Sequence, residues 1–441
     1  MFTRKQLIRL IIPLIIEQML AVTVGMADGM MVSRVGEAAV SGVSLVDTIN
    51  VLLIGLFGAL ATGGAVVSAQ YLGKKDEKKA CIAGEQLIAV TLVLSIVVML
   101  LALIGRETAL RLLFGDVESD VMANSLTYLF YSALSYPFIA VYNACAALFR
   151  SMGNSKTSMK ISFMMNLINV IGNAVLIFVF DMGVAGAAIA TLVSRMFAAV
   201  TLFLLLRNKK YPIHIENIRD FRINTVMIRR ILKIGLPNGM ENSVFQIGKI
   251  MVQGIVAGLG TSAITANAIA GTVGGLGVLP GSAIGLALIT VVGQCIGAND
   301  YDAVKLYTKK LLKFAYIIMA IINFCIILLI PVILNLYDVT AETSDIATQL
   351  MTYHCTLATL IWATSFALPN ALRAASDVKY TMWVSMISMW LWRIGFSYVL
   401  VKGFHMGVLG VWIAMTIDWL FRSICFIIRF KKEKYRSMAH I

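Results

Sequence analysis

Charge is scarce in this 441-residue chain: 14% of its residues are Asp, Glu, Lys or Arg, and 59% are hydrophobic. A soluble domain carries roughly 25% charged residues. A larger core cannot absorb the difference, because a soluble surface must still be wetted. The composition therefore excludes a soluble enzyme, a disordered chain and a secreted disulfide scaffold. Histidine is scarce too, and His214, His354, His405 and His440 stand apart from one another. Cys81, Cys145, Cys295, Cys325, Cys355 and Cys425 form no C-x-x-C and no Cys/His cluster, so they read as free thiols rather than as zinc ligands or a disulfide framework. A Walker motif is lacking, so the chain cannot itself use ATP. The stretch from Gly271 to Gly277 has the glycines of a phosphate loop without the following Lys-Ser/Thr; inside an apolar run, such glycines serve close helix packing.

What remains is an all-α polytopic membrane protein. Apolar runs fall near 10–33, 45–70, 84–104, 123–147, 161–180, 183–206, 235–258, 267–294, 314–336, 347–370, 381–401 and 407–428. Each is long enough for a spanning helix of about 20 residues, and none shows the short alternation of a β-barrel strand. The first run follows Arg4 and Lys5 but continues to Val32 without a small-x-small cleavage site, which predicts an uncleaved first span.

The net charge of +14 is explained by where the Lys and Arg lie. Every second loop is basic: Lys74 to Lys79, Arg150 to Lys160, Arg207 to Lys233, Lys305 to Lys313, Arg373 with Lys379, and both chain ends. The alternate loops hold Arg34, Arg106, Arg111 and Lys402 alone. This bias predicts a multi-pass protein of the cell membrane with both termini in the cytoplasm, and makes nucleic acid an unneeded partner. The polar linker, residues 207–234, separates an N-terminal six-helix lobe, 1–206, from a C-terminal one, 235–441.

The two lobes are related. At an offset of 224 residues Pro13 falls on Pro237, Glu17 on Glu241, Gly36 on Gly260, Gln70 on Gln294, Asp76 on Asp300 and Gly183 on Gly407; at 223, Arg150 falls on Arg373. Six spans per half start both halves on the same side, so the repeat is parallel, with a pseudo-twofold axis along the membrane normal and a central cleft between the lobes. That is transporter architecture. No catalytic constellation accompanies it, as a membrane-embedded transferase or hydrolase would require.

Ionisable groups within spans are costly and rarely idle. Asp28 lies deep in the first span, and Glu17 sits on the same helical face about 16 Å away along the axis. Asn166, Asn169 and Asn173 form a stripe on the fifth span. Their oxygens suit H+ or Na+ rather than a transition metal. Val252 occupies the position equivalent to Asp28, so the carboxylate site is not duplicated; Glu241 remains a second candidate acid. Gln18, Gln246, Lys249 and Arg393 are further polar groups for a cavity or for coupling, while Asp418 and Arg422, four residues apart, are expected to pair.

At these residues the chain resembles the multidrug and toxic compound extrusion (MATE) family of prokaryotic antiporters. The resemblance rests on Pro13 with Asp28, on Met31-Val32-Ser33-Arg34-Val35-Gly36, on Ala69-Gln70-Tyr71-Leu72-Gly73, on Phe149-Arg150-Ser151-Met152-Gly153-Asn154 and on Gly186-Ala187-Ala188-Ile189-Ala190-Thr191, and it covers almost the whole length. It implies twelve helices in two lobes around a V-shaped cleft, and exchange of Na+ or H+ for amphipathic organic cations and other small organic compounds; a monomer without cofactor is expected. The family's cation site maps onto Asp28, Asn169, Asn173 and Thr191, with Na+ a candidate ligand of the first three. Some members carry an Asp where this chain has Asn173, which leaves Asp28 as the main titrating group. A lipid or lipid-linked oligosaccharide flippase of the same superfamily is the alternative, kept open by Lys249 and Arg393.

Overall fold

The computed structural model describes residues 2–115, 117–215, 221–337 and 339–438; Arg219 and His440 lie outside them. Among the described residues twelve long helices follow one another: α1 (Arg4–Ser33), α2 (Glu37–Gly73), α3 (Glu77–Phe114), α4 (Ser119–Ser151), α5 (Ser155–Val179), α6 (Gly183–Leu206), α7 (Thr225–Ala257), α8 (Thr261–Gly297), α9 (Tyr301–Tyr337), α10 (Ala341–Ala374), α11 (Val378–Gly403) and α12 (Gly407–Lys431). Eleven are long and apolar enough to cross a membrane. The exception, α7, is diluted by Asn238, Glu241, Asn242, Gln246 and Lys249. The chain divides inside α7 into two compact units, Phe2–Gly239 and Met240–Ile441.

The helices outrun the apolar stretches read from the sequence. Several reach 37 residues, about 55 Å at 1.5 Å per residue, against roughly 30 Å of hydrocarbon, so their polar ends extend beyond it. The second helix accordingly begins at Glu37 rather than near residue 45, which sets Asp47 well inside it. In the first unit α4 packs against α2, α3 and α6, and α1 against α5; in the second, α8 packs against α9 and α10. Large apolar side chains such as Leu101 and Phe324 remain more than 60% exposed, as lipid-facing residues do. The glycines of α8 meet bulky neighbours: a Cβ added at Gly274 would strike His354, at Gly281 Trp362, and at Gly285 Asn370. They are packing glycines.

The repeat reaches into the backbone. Left-handed residues recur at an offset of 224: Gly36 and Gly260 before α2 and α8, Lys75 and Asn299 after them, Asp181 and His405, Gly183 and Gly407. At Gly36 and Gly260, φ is +137° and +96°, a region in which a Cβ is strained. Asp76 and Asp300 cap the helices that follow, accepting from Lys79 N at 3.1 Å and Ala303 N at 2.9 Å. The Lys79 N–H, followed by its ammonium, holds the Asp76 carboxyl below its usual range.

Each unit also carries the same ion pair. Glu17 on α1 meets Arg150 on α4 at 3.2 Å, and Ser158 donates to its other oxygen at 3.1 Å. Glu241 on α7 meets Arg373 on α10 at 2.7 Å. Both pairs tie the first helix of a unit to its fourth. Removing one partner of such a buried pair leaves an uncompensated charge, which costs about 3 kcal/mol or more. Arg150→Met should therefore lower the melting temperature of the detergent-purified protein by several degrees, and Glu17→Gln added to Arg150→Met should recover most of the loss; a double variant as unstable as the single would refute the clamp.

Candidate functional site

A cavity of about 360 Å³ opens in the first unit. Its side chains come from five helices: Asp28 from α1, Asp47 from α2, Tyr128 from α4, Asn166, Asn169 and Asn173 from α5, and Thr191, Ser194 and Arg195 from α6. The α5–α6 contact that lines up this wall depends on small residues. A Cβ added at Gly172 would stand 2.9 Å from Ala190 Cβ, and one at Gly186 3.0 Å from Leu176. Immediately after Asn173, α5 widens into a π-helical turn, Ala174–Val179, a feature frequent at functional sites.

Asp28 is half-buried between Gly25 and Gly29, beside both of which space for a Cβ is open. Asn173 Nδ2 donates to its Oδ1 at 2.6 Å. The Asn169 amide is satisfied with its nitrogen turned toward Asp28. With nitrogen inward it donates to Asp28 Oδ1 at 2.8 Å and Oδ2 at 3.1 Å, while its oxygen accepts from Thr191 Oγ1 at 3.0 Å. Asn173 Oδ1, although buried, has no hydrogen-bond partner among the described residues. The structure thus brings together Asp28, Asn169, Asn173 and Thr191. Their carboxylate, amide and hydroxyl oxygens are the hard donors that Na+ prefers, and no cluster of three His, Cys, Asp or Glu fit for another metal occurs among the described residues.

The other candidates lie elsewhere. Glu17 sits in its ion pair with Arg150 and Glu241 in its pair with Arg373. Glu241 lines a separate cavity in the second unit, whereas Gln18 and Gln246 line neither. Lys249 and Arg393 stand over the Phe245 ring. Asp418 and Arg422 pair as expected, at 2.8 Å.

Two charged cavity residues, Asp47 and Arg195, were not singled out from the sequence as site residues. Asp47 is open to the cavity and accepts from Asn50 Nδ2 at 3.2 Å; Asn50 in turn accepts from the Tyr136 hydroxyl at 2.9 Å. Arg195 donates to Ser135 Oγ at 2.7 Å and forms no ion pair with either carboxylate among the described residues. Asp47 escaped notice because it sits near the start of an apolar run, where acids are ordinary. Its signal lay in the helix that the run belongs to, which begins ten residues earlier.

Against known proteins, residues 13–175 and again 237–399 match the sequence model of the MatE family. The chain belongs to that family. The two matched stretches begin 224 residues apart, the offset of the internal repeat. Over 430 residues the MatE chain is 27% identical to the uncharacterized transporter YisQ of Bacillus subtilis (strain 168), covering 96% of this chain and 92% of that one. Over 450 residues it is 25% identical to the probable multidrug resistance protein NorM of Thermotoga maritima, covering 99% and 94%. An outward-facing multidrug resistance MATE family transporter of the MOP superfamily superposes with a TM-score of 0.90 at 19% identity, over 98% of this chain and 96% of that one. MATE in its bent conformation gives 0.88 at 20%, over 99% and 97%. The protein is therefore a multi-pass membrane transporter of the MATE multidrug efflux family, not an enzyme.

The close α5–α6 contact is testable by itself. Gly172→Val should overpack it, at a cost of about 1–3 kcal/mol, seen as a lower melting temperature; Ala190→Gly in the same chain should restore it. An unchanged melting temperature in Gly172→Val would show that the contact is loose.

Proposed function

We propose that this transporter is an antiporter that exports amphipathic organic compounds, cations among them, in exchange for H+ or Na+ bound at Asp28. One observation carries the reading: the Asp28 carboxylate, inside a membrane-spanning helix, is held by the neutral amides of Asn169 and Asn173 and forms no ion pair among the described residues. A desolvated carboxylate without a counter-charge is costly, so its neutralisation by one proton or one Na+ is a large local change.

Asn169 can register that change. Its nitrogen-inward amide suits the ionised carboxylate. A protonated or Na+-bound Asp28 calls instead for the amide oxygen, so the Asn169 side chain has to turn over. Asn173 Oδ1 and Thr191 Oγ1 complete an oxygen shell for Na+. Asp47 supplies a second acid to the same cavity, and Arg195, which pairs with neither acid among the described residues, can offset only one of the two charges when the coupling ion has left. An ion that prefers one state and an export substrate that prefers the other are enough for alternating access, because each shifts the population by its differential affinity. The loop charges favour the cell membrane with both termini in the cytoplasm, and one chain holds the whole site, as a working monomer needs.

The test is efflux of a fluorescent lipophilic cation from proteoliposomes under a pH gradient or a sodium gradient, imposed separately. One gradient should drive transport. Asp28→Asn should slow it by more than tenfold and Asp47→Asn by less. Wild-type rates in Asp28→Asn under both gradients would end the reading.

A further inference from the structure

The second unit has a cavity of its own, of about 230 Å³, and its chemistry is the reverse of the first. Glu241, Phe245, Trp362, Phe366, Arg373 and Arg422 are among its lining residues. Trp362 stacks on Phe366 with ring centroids 4.9 Å apart. The Arg422 guanidinium lies 5.3 Å from the Phe245 centroid and 5.3 Å from that of Phe366. Arg393 and Lys249 stand 5.2 Å and 5.9 Å from the same Phe245 ring. One phenyl ring is thus surrounded by three cations.

The acids do not balance them. Glu241 is engaged by Arg373. Asp418, completely buried, is shared by Arg422 at 2.8 Å and Arg393 at 3.5 Å. Lys249 forms no ion pair among the described residues. Four cations therefore face two carboxylates, and an excess of positive charge at bilayer depth is expensive unless something offsets it. Arg422 is also held rigidly. Its Nε donates to Asp418 and its Nη2 to Ser385 O at 3.2 Å, while Nη1 makes no hydrogen bond among the described residues. A guanidinium fixed between two rings, with one nitrogen free, is prepared for an anion.

The backbone is specialised here as well. Trp362, Ser365 and Phe366 lie on a π-helical segment, Ala358–Ala367, and Arg393 on another, Met389–Gly395. At the repeat offset, Ala358–Ala367 corresponds to α4 and Met389–Gly395 to α5, both regular α-helix there. These two π-helical segments have no counterpart at the repeat offset, unlike the π-helical turn that follows Asn173.

We propose that the cavity of the second unit binds the anionic group of an amphiphile, a carboxylate or phosphate attached to a flat ring or an apolar chain. The cavity is smaller than the roughly 300–1,000 Å³ of a drug-sized pocket, so it takes one end of such a molecule: the anion against Arg422 and its ring against Trp362 and Phe366. The proposal rests on the protein's being a transporter of small organic compounds, and not on ion coupling at Asp28. Acidic lipid headgroups and soluble organic anions share this chemistry.

All six tryptophans lie between residues 362 and 419, so intrinsic fluorescence reads the second unit. The full chain, purified in neutral detergent, is titrated with 4-nitrobenzoate and 4-nitrophenyl phosphate, and in parallel with 4-nitrobenzyl alcohol and 4-nitrobenzylamine. The anions should quench at concentrations about tenfold lower than the neutral and cationic probes. Arg422→Gln should remove that preference, a contact to a charged group being worth about tenfold. Because Arg422→Gln disturbs Asp418, Arg393→Gln, which leaves the Asp418–Arg422 pair in place, should weaken the anions about threefold with an unaltered emission maximum. In nanodiscs, phosphatidylglycerol that competes with 4-nitrobenzoate where phosphatidylcholine does not identifies a lipid source; equal quenching in both identifies a soluble anion. Equal affinity for all four probes, a preference for the amine, or an anion preference that survives both substitutions would overturn the proposal. Efflux that fails under both ion gradients while anion-selective quenching persists would overturn the antiport reading alone.

Discussion

A carboxylate at bilayer depth has to be matched from within the protein, and the choice of partner determines what it can do. Glu17, Glu241 and Asp418 are matched by guanidinium groups, from Arg150, Arg373, and Arg393 with Arg422. A permanent cation makes such an acid part of the frame, because taking either member away strands the other. Asp28 is matched by amides instead. Amides stabilise the charge without cancelling it, which is the arrangement that the proposed exchange at Asp28 needs. The rest of the first unit serves that difference: small residues bring α5 and α6 together, and a π-helical turn follows Asn173.

The two halves are one frame with two contents. Left-handed turns, helix caps and the Glu–Arg clamp recur at the repeat offset, because each is a geometric requirement of a six-helix unit. The polar side chains facing the cavities carry no such requirement and have diverged. Val252 packs beside an apolar cluster where Asp28 would fall. The second unit instead gathers cations around Phe245, where the first unit has a carboxylate held by amides.

Much of this is legible in the sequence because the bilayer imposes local rules. Apolar runs mark the helices and the Lys/Arg bias marks the loops. Asp28 and the asparagine stripe stand out as polar groups in apolar surroundings, and Thr191 follows from the motif around it. Helix ends are less legible, since a helix continues past the hydrocarbon into residues that look like loop; that is how Asp47 escaped notice.

By itself the sequence determined the helix count, the doubled architecture and the carboxylate of α1, since each follows from hydropathy, periodicity or a fixed offset along the chain. Tertiary structure alone decided which charges meet: that Glu17 closes on Arg150, that Asp47 and Arg195 share the cavity of Asp28, and that three cations converge on one phenylalanine. The physical reason is range. Hydrophobic patterning is written over neighbouring residues, whereas a charge at bilayer depth is answered by whichever helix packs beside it, often more than a hundred residues away.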